Sequence, residues 1–318
     1  MKANAPMKSY DVIGDIHGHA DKLEALLNTM GYVPESHGYK APVGRQAVFV
    51  GDFIDRGPKQ MRVLEIVRAM VDSGAAKAVM GNHEFNAIGF VTRSKESPTD
   101  FLRPDSHKNR KQHQEFLTQV GEGSAAHKEW IEWFRTLPLF LDLGGIRVVH
   151  ACWNDQAVAE VGAVYWDASG QRMSDAFLFG SYVEGSTLMD ARKLLSCGVE
   201  WKLPDGMHID GKGGEKHHEI RIANWRHEAK RLPEVAMVPD GNEENVPDIV
   251  IPDHLPMDPI KGAPVFIGHH WFTGVPAIES LKLACLDYSA AKRGPLVAYR
   301  WDGESELSNS KLVWAGGE

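Results

Sequence analysis

Three short apolar segments in the N-terminal half of the chain each end in a glycine that is followed at once by a polar residue. With these terminal pairs included, the segments are residues 10–15, 47–52 and 76–82. Short runs rich in valine, isoleucine and other apolar residues predict β-strands. Glycine accepts backbone angles that other residues avoid, so each strand can end in a sharp turn. The chain is therefore expected to place a polar side chain directly after each of three strands.

Helical patterns separate these predicted strands. Leucine and methionine recur at helical spacing in residues 23–30, and valine, isoleucine and methionine do so in residues 63–70. Gly31 and Gly74 follow the two patterns and are typical helix stop signals. Alternating strands and helices predict a parallel sheet of the α/β class, and ligand sites in such sheets lie at the carboxyl ends of the strands. The polar residues are therefore expected to gather at one edge of the sheet.

Two later segments repeat the arrangement with histidine as the polar residue. Residues 139–149 predict a β-hairpin around two adjacent glycines, and its second strand runs directly into His150. Residues 265–267 predict a further strand, which leads through one glycine into His269. Both histidines are expected to join the residues that follow the first three strands.

The middle of the chain has a different character. Between residues 154 and 260 the apolar periodicity weakens, while glycine, proline and charged residues increase. We interpret residues 154–260 as a loop-rich insertion or cap within a single domain that covers residues 1–318. Its most irregular parts are predicted at residues 211–214 and 239–259.

Two other regions carry weaker patterns. Residues 92–135 are polar and predict partial helix. Near the C-terminus, residues 283–286 and 296–299 are two apolar runs, and Gly294-Pro295 lies just before the second. This pattern predicts a terminal hairpin.

Composition excludes several classes of protein. The 318 residues carry a formal net charge of −8, which argues against a stable nucleic-acid partner because such proteins usually present a basic face. No apolar run approaches the roughly 18 residues that a membrane span needs, so no membrane partner is expected. The N-terminal residues lack the apolar core of a secretory signal, which favours a cytoplasmic protein.

The number and spacing of the cysteines also favour a reducing compartment. Cys152, Cys197 and Cys285 are far apart and odd in number, which predicts reduced, buried thiols rather than a disulfide framework. Without a CxxC pair, a structural zinc site is not expected.

The residues that follow the strands are metal ligands by type. Asp15, His17 and Asp52 offer oxygen and imidazole donors for one divalent ion, and a carboxylate such as Asp52 can bridge two ions. A second set comes from three further positions: Asn82, His150 and His269. Mixed nitrogen and oxygen ligands without thiolate suit manganese, iron or zinc. Two ions about 3.5–4 Å apart can clamp a phosphate and activate water.

Each segment alone is a weak signal. Asp-x-His after a strand is usually a turn, Gly-Asn-His-Glu alone has low specificity, and the segment from Asp52 to Gly57 alone could be a charged turn or a helix cap. Together they resemble a known family. The segments GDIHG, GDFIDRG and GNHE, followed by the two late histidines, resemble the calcineurin-like metallophosphoesterases. More narrowly, they look like the phosphoprotein phosphatase branch, near the bacterial serine/threonine phosphatases and diadenosine tetraphosphatases. The resemblance covers residues 10–153 and 263–303, and it implies a four-layer αββα sandwich.

The resemblance also implies roles for individual residues. One metal is expected on Asp15, His17 and Asp52. The second is expected on the following residues: Asp52, Asn82, His150 and His269. The resemblance implies two divalent ions, with manganese favoured.

Three more residues of the motifs receive roles in the same way. His83 is the expected general acid, with Asp55 accepting a hydrogen bond from it, since a carboxylate partner favours the protonated imidazole. Arg56 is expected to bind phosphate oxygens, which its guanidinium group matches.

The resemblance further implies a second phosphate-binding arginine between the late histidines. Arg221 and Arg226 are both candidates, and a solvated basic face is the alternative for either. Many nucleases of the wider family carry a second histidine two positions after the residue that corresponds to His269. Here that position is Trp271, which disfavours a nuclease, and the adjacent His270 is interpreted as a pocket residue.

The functional expectation is hydrolysis of phosphomonoesters, on phosphoproteins or small molecules, by a hydroxide that bridges the two metals. A dinucleoside polyphosphate hydrolase, acting on substrates such as diadenosine tetraphosphate, is the alternative with the same chemistry. A metal-free binding or scaffold module on the same fold is the alternative of another class, and the full ligand set argues against it.

Overall fold

The computed structural model describes residues 9–210, 216–238 and 242–317. The helices are α1 (Ala20–Thr29), α2 (Gln60–Asp72), α3 (Asn82–Val91), α4 (His107–Val120), α5 (Ala125–Phe134), α6 (Asp155–Gly162), α7 (Asp175–Gly180) and α8 (Thr187–Cys197). The strands are β1 (Ser9–Ile13), β2 (Val33–Glu35), β3 (Gly38–Lys40), β4 (Arg45–Phe49), β5 (Ala76–Ala78), β6 (Phe140–Asp142), β7 (Arg147–Val149), β8 (Val199–Lys202), β9 (Ile209–Asp210), β10 (Lys216–His217), β11 (Glu219–Ile222), β12 (Ala236–Met237), β13 (Val265–Ile267), β14 (Leu283–Cys285), β15 (Leu296–Trp301) and β16 (Leu312–Ala315).

Two larger sheets form the centre of the fold. One has five strands in the order β16-β15-β1-β4-β5, and β1, β4 and β5 run parallel to one another. The other has four strands in the order β14-β13-β7-β6. The predicted βαβαβ unit is confirmed in the first sheet, and the predicted hairpin around the paired glycines is confirmed as β6 and β7 in the second.

Alternation along the strands explains how the sheets pack. Val12 and Val48 of the first sheet share one buried cluster with Val148 and Phe266 of the second, so these side chains fill the space between the sheets. Their neighbours in β1 and β4 point the opposite way, into a larger cluster that holds Leu23 of α1 and other helical residues. Successive side chains of a strand face opposite sides of a sheet, which produces this division. The layers are those of the expected αββα sandwich.

The segment of residues 154–260 contains more regular structure at its start than at its end. Helices α6, α7 and α8 occupy its first part, and β12-β11-β8 form a small sheet. This sheet has its own buried cluster, which includes Ile220, Ile222 and Leu232. Residues 242–260 hold a short 3-10 helix at Glu243–Asn245 and are otherwise irregular. The loop predicted at residues 211–214 lies outside the described residues, as do residues 239–241.

The predicted C-terminal hairpin is wrong. Strand β14 runs parallel to β13 in the four-stranded sheet, whereas β15 pairs antiparallel with β1 in the five-stranded sheet. Residues 286–295 carry the chain from one sheet to the other. The hairpin partner of β15 is β16. Apolar runs show that both strands are buried but not which sheet each one joins, and this ambiguity caused the error.

Two further expectations concern membranes and thiols. Within the described ranges, no helix is long and apolar enough to cross a bilayer. All three cysteines are free thiols; Cys152 and Cys285 are buried, and Cys197 is half-buried.

Candidate metal centre

The polar residues predicted at strand ends do converge. Asp15 and His17 follow β1, Asp52 follows β4, and Asn82 begins α3 just after β5. His150 directly follows β7, and His269 follows β13 by one glycine. The carboxyl ends of strands from both sheets therefore supply the site.

Backbone strain is concentrated at the same positions. His17, Asp52 and His269 have φ angles of 45°, 53° and 70°, in the left-handed region that residues other than glycine rarely occupy. Asp55 and Arg56 share this property, with φ angles of 71° and 72°. Such conformations persist only where surrounding contacts hold them, and they are concentrated at functional sites.

Two glycines make room for the carboxylates. A Cβ atom on Gly81 would lie 2.1 Å from Oδ1 of Asp52, and a Cβ atom on Gly268 would lie 1.9 Å from Oδ1 of Asp15. Neither separation is sterically allowed, so any larger residue would displace a carboxylate. The Gly-polar pairs of the sequence thus have a direct physical use.

Asp52 lies at the centre of the cluster. Its Oδ2 atom is 3.3 Å from Nε2 of His150, 3.5 Å from Nε2 of His17 and 3.8 Å from Nε2 of His83. Among the described residues, two groups of side chains offer potential ligand atoms, and the ligand atoms of each group lie within 4.8 Å of one another. The groups are His17, Asp52 and His83, and Asp52, His150 and His269. Asp52 is common to both, as expected for a bridging carboxylate. The first group contains His83 in place of the predicted ligand Asp15, whose Oδ2 atom accepts from the backbone amide of His269 at 3.0 Å.

Backbone carbonyls orient two of the imidazoles. The Nδ1–H group of His17 donates to the carbonyl of Ile54 at 2.8 Å, and that of His150 donates to the carbonyl of Val50 at 2.8 Å. These bonds direct Nε2 of both rings toward Asp52. Burial opposes protonation of His150, but Asp52 and Asp15 outweigh it and raise its pKa to about 10, so this ring must lose its Nε2 proton to bind a metal. A hydrogen bond from the other ring nitrogen is the usual way in which proteins orient a ligating histidine.

The remaining atoms fit a cation. Within the described part of the chain, Oδ1 of Asp15 and Nε2 of His269 are buried and have no hydrogen-bond partner. Asn82 Oδ1 lies 3.1 Å from Nε2 of His150 and 2.9 Å from Nδ1 of His269. Buried polar atoms are rarely left unpaired, so the unpaired carboxylate oxygen of Asp15 and the unpaired imidazole nitrogen of His269 both suit coordination of a positive ion.

The electrostatics agree with this interpretation. Burial, together with the neighbouring Asp287 and Asp52, raises the pKa of Asp15 well above its usual range. Burial lowers the pKa of His17 to about 3 and that of His269 well below normal, so both rings are neutral and able to bind metal. Burial opposes ionisation of Asp52, but attraction to His150, His83 and His17 outweighs it and holds that pKa well below normal. A bound cation would stabilise both carboxylates.

His83 and Asp55 form the expected pair. Nδ1 of His83 lies 2.5 Å from Oδ2 of Asp55, and Nε2 faces Nη2 of Arg56 at 3.5 Å. Burial opposes protonation of His83, but Asp52 and Asp55 outweigh it and raise its pKa. On its open side, Nε2 of His83 is also 3.4 Å from Nε2 of Gln112 on α4.

Sequence reasoning missed two supporting residues. The carboxylate of buried Glu84 accepts hydrogen bonds from the backbone amides of Asp52 at 2.9 Å, Phe53 at 2.7 Å, Ile54 at 3.2 Å and Gly81 at 3.0 Å. Glu84 thereby ties the loop after β4 to the start of α3. Its position three residues after Gly81, as in a capping box, was the available signal.

The second missed residue is His113 on α4. Its Nδ1 atom lies 2.7 Å from Oδ1 of Asp55. No motif surrounds His113 in the sequence, so only the packing of α4 against the loop after β4 reveals this contact.

The two candidate arginines occupy different places. Arg221 donates from Nη1 to the carbonyl of His269 at 3.3 Å, and its guanidinium lies 4.2 Å from the ring centroid of Trp271. Arg226 is exposed and donates to the carbonyl of Glu234 at 2.8 Å. Arg221 is therefore next to a candidate ligand, whereas Arg226 is bound to the backbone of Glu234.

A large cavity opens beside Arg56. Its volume is about 1230 Å³. Its lining also includes Arg226, Lys292, His270, Trp271 and Tyr288. The interpretation of His270 as a pocket residue agrees with this position. The cavity joins a candidate phosphate-binding arginine to a space much larger than one phosphate group.

The family of the chain is shown by comparison with known proteins. The calcineurin-like phosphoesterase family matches residues 9–290, and the chain belongs to this family. The resemblance and the fold class expected from the sequence are thereby confirmed.

Individual curated relatives match only part of the chain. The chain is 33% identical to the asymmetrical bis(5'-nucleosyl)-tetraphosphatase PrpE of Oceanobacillus iheyensis over 141 residues, which cover 44% of this chain and 54% of that protein. It is 45% identical to the protein of the same name from Geobacillus thermodenitrificans over 143 residues, covering 44% and 56% of the two chains. The match thus spans about half the length of these curated relatives.

Two solved structures are similar at low identity. A serine/threonine phosphatase from Saccharomyces cerevisiae is 14% identical with a TM-score of 0.47, over 99% of this chain and 81% of that one. A cold-active protein-tyrosine phosphatase from a Shewanella species is 12% identical with a TM-score of 0.47, over 97% and 80% of the two chains.

Proposed function

We propose that this chain is a hydrolase of phosphate esters that depends on two divalent metal ions. The observation that carries the proposal is the pair of ligand groups that share Asp52, together with the unpaired Asp15 oxygen and His269 nitrogen. One ion would be held by Asp15, His17 and Asp52. The other would be held by Asp52, Asn82, His150 and His269. The donor set suits manganese, iron or zinc, and the resemblance of the motifs favours manganese.

The chemistry follows from the residues around the ligands. When bound, the two ions would activate water and neutralise the negative charge of the phosphoryl group. Arg56 would hold non-bridging phosphate oxygens from the side that faces the cavity. His83 would give the proton on Nε2 to the departing oxygen, because its Nδ1–H group is held by Asp55.

Arg221 is the better candidate for the second phosphate contact. It lies beside His269, and in the described structure its Nε atom is buried without a partner. Arg226 would instead contact another part of a longer substrate, since it lines the cavity that also contains Arg56.

Two substrate classes share this chemistry. The names of the PrpE relatives favour a dinucleoside polyphosphate, and a cavity of about 1230 Å³ with Arg226 and Lys292 on its walls suits such a polyanion. A phosphomonoester on a protein or a small molecule is the second candidate, and the exposed edge of the cavity beside Arg56 supports it.

The test compares substrates at one active site. The purified chain is given Mn²⁺ and assayed with diadenosine tetraphosphate, a phosphoserine peptide and p-nitrophenyl phosphate. A much higher kcat/KM for diadenosine tetraphosphate supports the dinucleoside class, and a preference for the peptide supports the monoester class. Absence of metal binding and of turnover would leave the fold as a binding module. Cleavage of DNA in place of these substrates would identify a nuclease.

A further inference from the structure

Both oxygens of the Asp55 carboxylate are occupied by histidine. Oδ2 lies 2.5 Å from Nδ1 of His83, and Oδ1 lies 2.7 Å from Nδ1 of His113. All three side chains are buried. The backbone amide of Asp55 is also fixed, because it donates to Oε1 of Gln60 at 2.7 Å. The orientation of the carboxylate is thus determined from two sides.

His113 itself is held by packing on α4. Its ring centroid lies 5.0 Å from that of Phe116 and 5.7 Å from that of Phe90. The helix is anchored to the same loop, since the side chain of Gln119 accepts from the amide of Gln60 at 2.8 Å and donates to the carbonyl of Pro58 at 3.0 Å. His113 is therefore a fixed donor rather than a mobile side chain.

We propose that His113 is a positioning residue for the general acid, acting on His83 through Asp55. The proposal rests on the function proposed above. The Nδ1–H group of His113 holds Oδ1, so that Oδ2 stays directed at Nδ1 of His83. The imidazole of His83 then presents Nε2 to the departing oxygen in one orientation. The contacts of His113 in the described structure are with Asp55, Phe90 and Phe116, so it reaches His83 through Asp55.

The physical basis is the cost of freeing a buried carboxylate oxygen. Without His113, Oδ1 of Asp55 would be buried and unpaired, and the carboxylate would rotate or admit water to recover a partner. Rotation moves Oδ2 and, with it, the ring of His83. Small misplacements of a catalytic group can reduce the rate by about 10²-fold. The loss should fall on proton transfer to the leaving group and should spare metal binding.

Two substitutions separate the hydrogen bond from the packing. His113→Phe keeps an aromatic ring between Phe90 and Phe116 but removes the donor. His113→Asn loses the ring but can place an amide N–H near the position of Nδ1. His127→Asn is the matched control, because His127 also packs on Phe116 and is buried but does not touch Asp55.

The experiment measures kcat/KM for phenyl phosphate and p-nitrophenyl phosphate, with metal content and unfolding free energy determined in parallel. Phenol is the poorer leaving group and needs the acid more. His113→Phe should lower turnover of phenyl phosphate by about 10-fold more than that of p-nitrophenyl phosphate, with two metals retained. His113→Asn should restore much of the wild-type ratio of kcat/KM for phenyl phosphate to that for p-nitrophenyl phosphate. His127→Asn should leave this ratio unchanged.

The possible failures are distinguishable. If the wild-type chain hydrolyses neither the aryl phosphates nor diadenosine tetraphosphate in Mn²⁺, the proposed function fails. If it hydrolyses only diadenosine tetraphosphate, the test of His113 becomes a loss of kcat/KM for that substrate in His113→Phe that His113→Asn restores and His127→Asn does not show. If the wild type is active and His113→Phe slows both substrates equally, or not at all, His113 has only a structural role and the inference is overturned. The inference is also overturned if His113→Asn restores the unfolding free energy but not the ratio of kcat/KM for phenyl phosphate to that for p-nitrophenyl phosphate.

Discussion

Replacing Gly268 by alanine should weaken the binding of one of the two metal ions. A Cβ atom at this position would lie 1.9 Å from Oδ1 of Asp15, and real Cβ contacts are essentially never below 3.0 Å. Relief of the clash therefore requires a movement of about 1.1 Å between the two groups. Metal–ligand distances tolerate only about 0.2 Å, so a movement of this size breaks coordination by Asp15.

Gly268→Ala should lower the affinity for one of the two ions by at least about 100-fold. Loss of a residue that only hydrogen-bonds to a metal ligand already lowers metal affinity by about 10–100-fold, and Asp15 is expected to bind the metal directly. The assay is calorimetric titration of the metal-free chain with Mn²⁺, with circular dichroism to confirm folding. Gly162→Ala is the control, because its Cβ would make an ordinary contact 3.6 Å from Phe140. Two ions bound to Gly268→Ala with unchanged affinity would refute the assignment of Asp15 as a ligand.

Three other substitutions test separate parts of the account. His83→Asn should lower turnover of an aryl phosphate by about 10²–10⁴-fold while metal content is retained, and unchanged turnover would remove His83 from the acid role. Arg221→Ala should lower kcat/KM by about 10–100-fold, the range for a lost charged hydrogen bond, and should exceed the effect of Arg226→Ala; the reverse order in the same assay would exchange their roles. Glu84→Gln should lower the free energy of unfolding by about 2–6 kcal/mol, because two of the four amides would lose their acceptor; an unchanged urea midpoint would contradict this.

The sequence predicted the first half of the sandwich well, for a physical reason. In β1 and β4 the apolar run indicates a buried strand, and the Gly-Asp pair that follows indicates a turn at its end. The local sequence preference and the packing of the fold therefore require the same structure at these positions. The candidate ligands were predictable in the same way. Each of them lies at the end of a strand, and the carboxyl ends of strands in a sheet meet at one edge.

Features that depend on distant packing were not predictable. Burial of β14 and β15 is evident from their residues, but their assignment to different sheets depends on the path of residues 286–295. His113 lies on a helix without any motif, and its contact with Asp55 follows from how α4 docks. Glu84 was visible within Gly-Asn-His-Glu, yet its use as an acceptor for four amides requires the loop after β4 to fold around it.

The central claim is that two cations share the carboxylate of Asp52. Anomalous diffraction from crystals of the chain grown with Mn²⁺ tests it most directly, because it locates each ion relative to its ligands. The account predicts two manganese ions per chain, both coordinated by Asp52, with Asp15 and His17 on one and His150 and His269 on the other. A single ion, two ions that do not share Asp52, or no ion among these residues would contradict it.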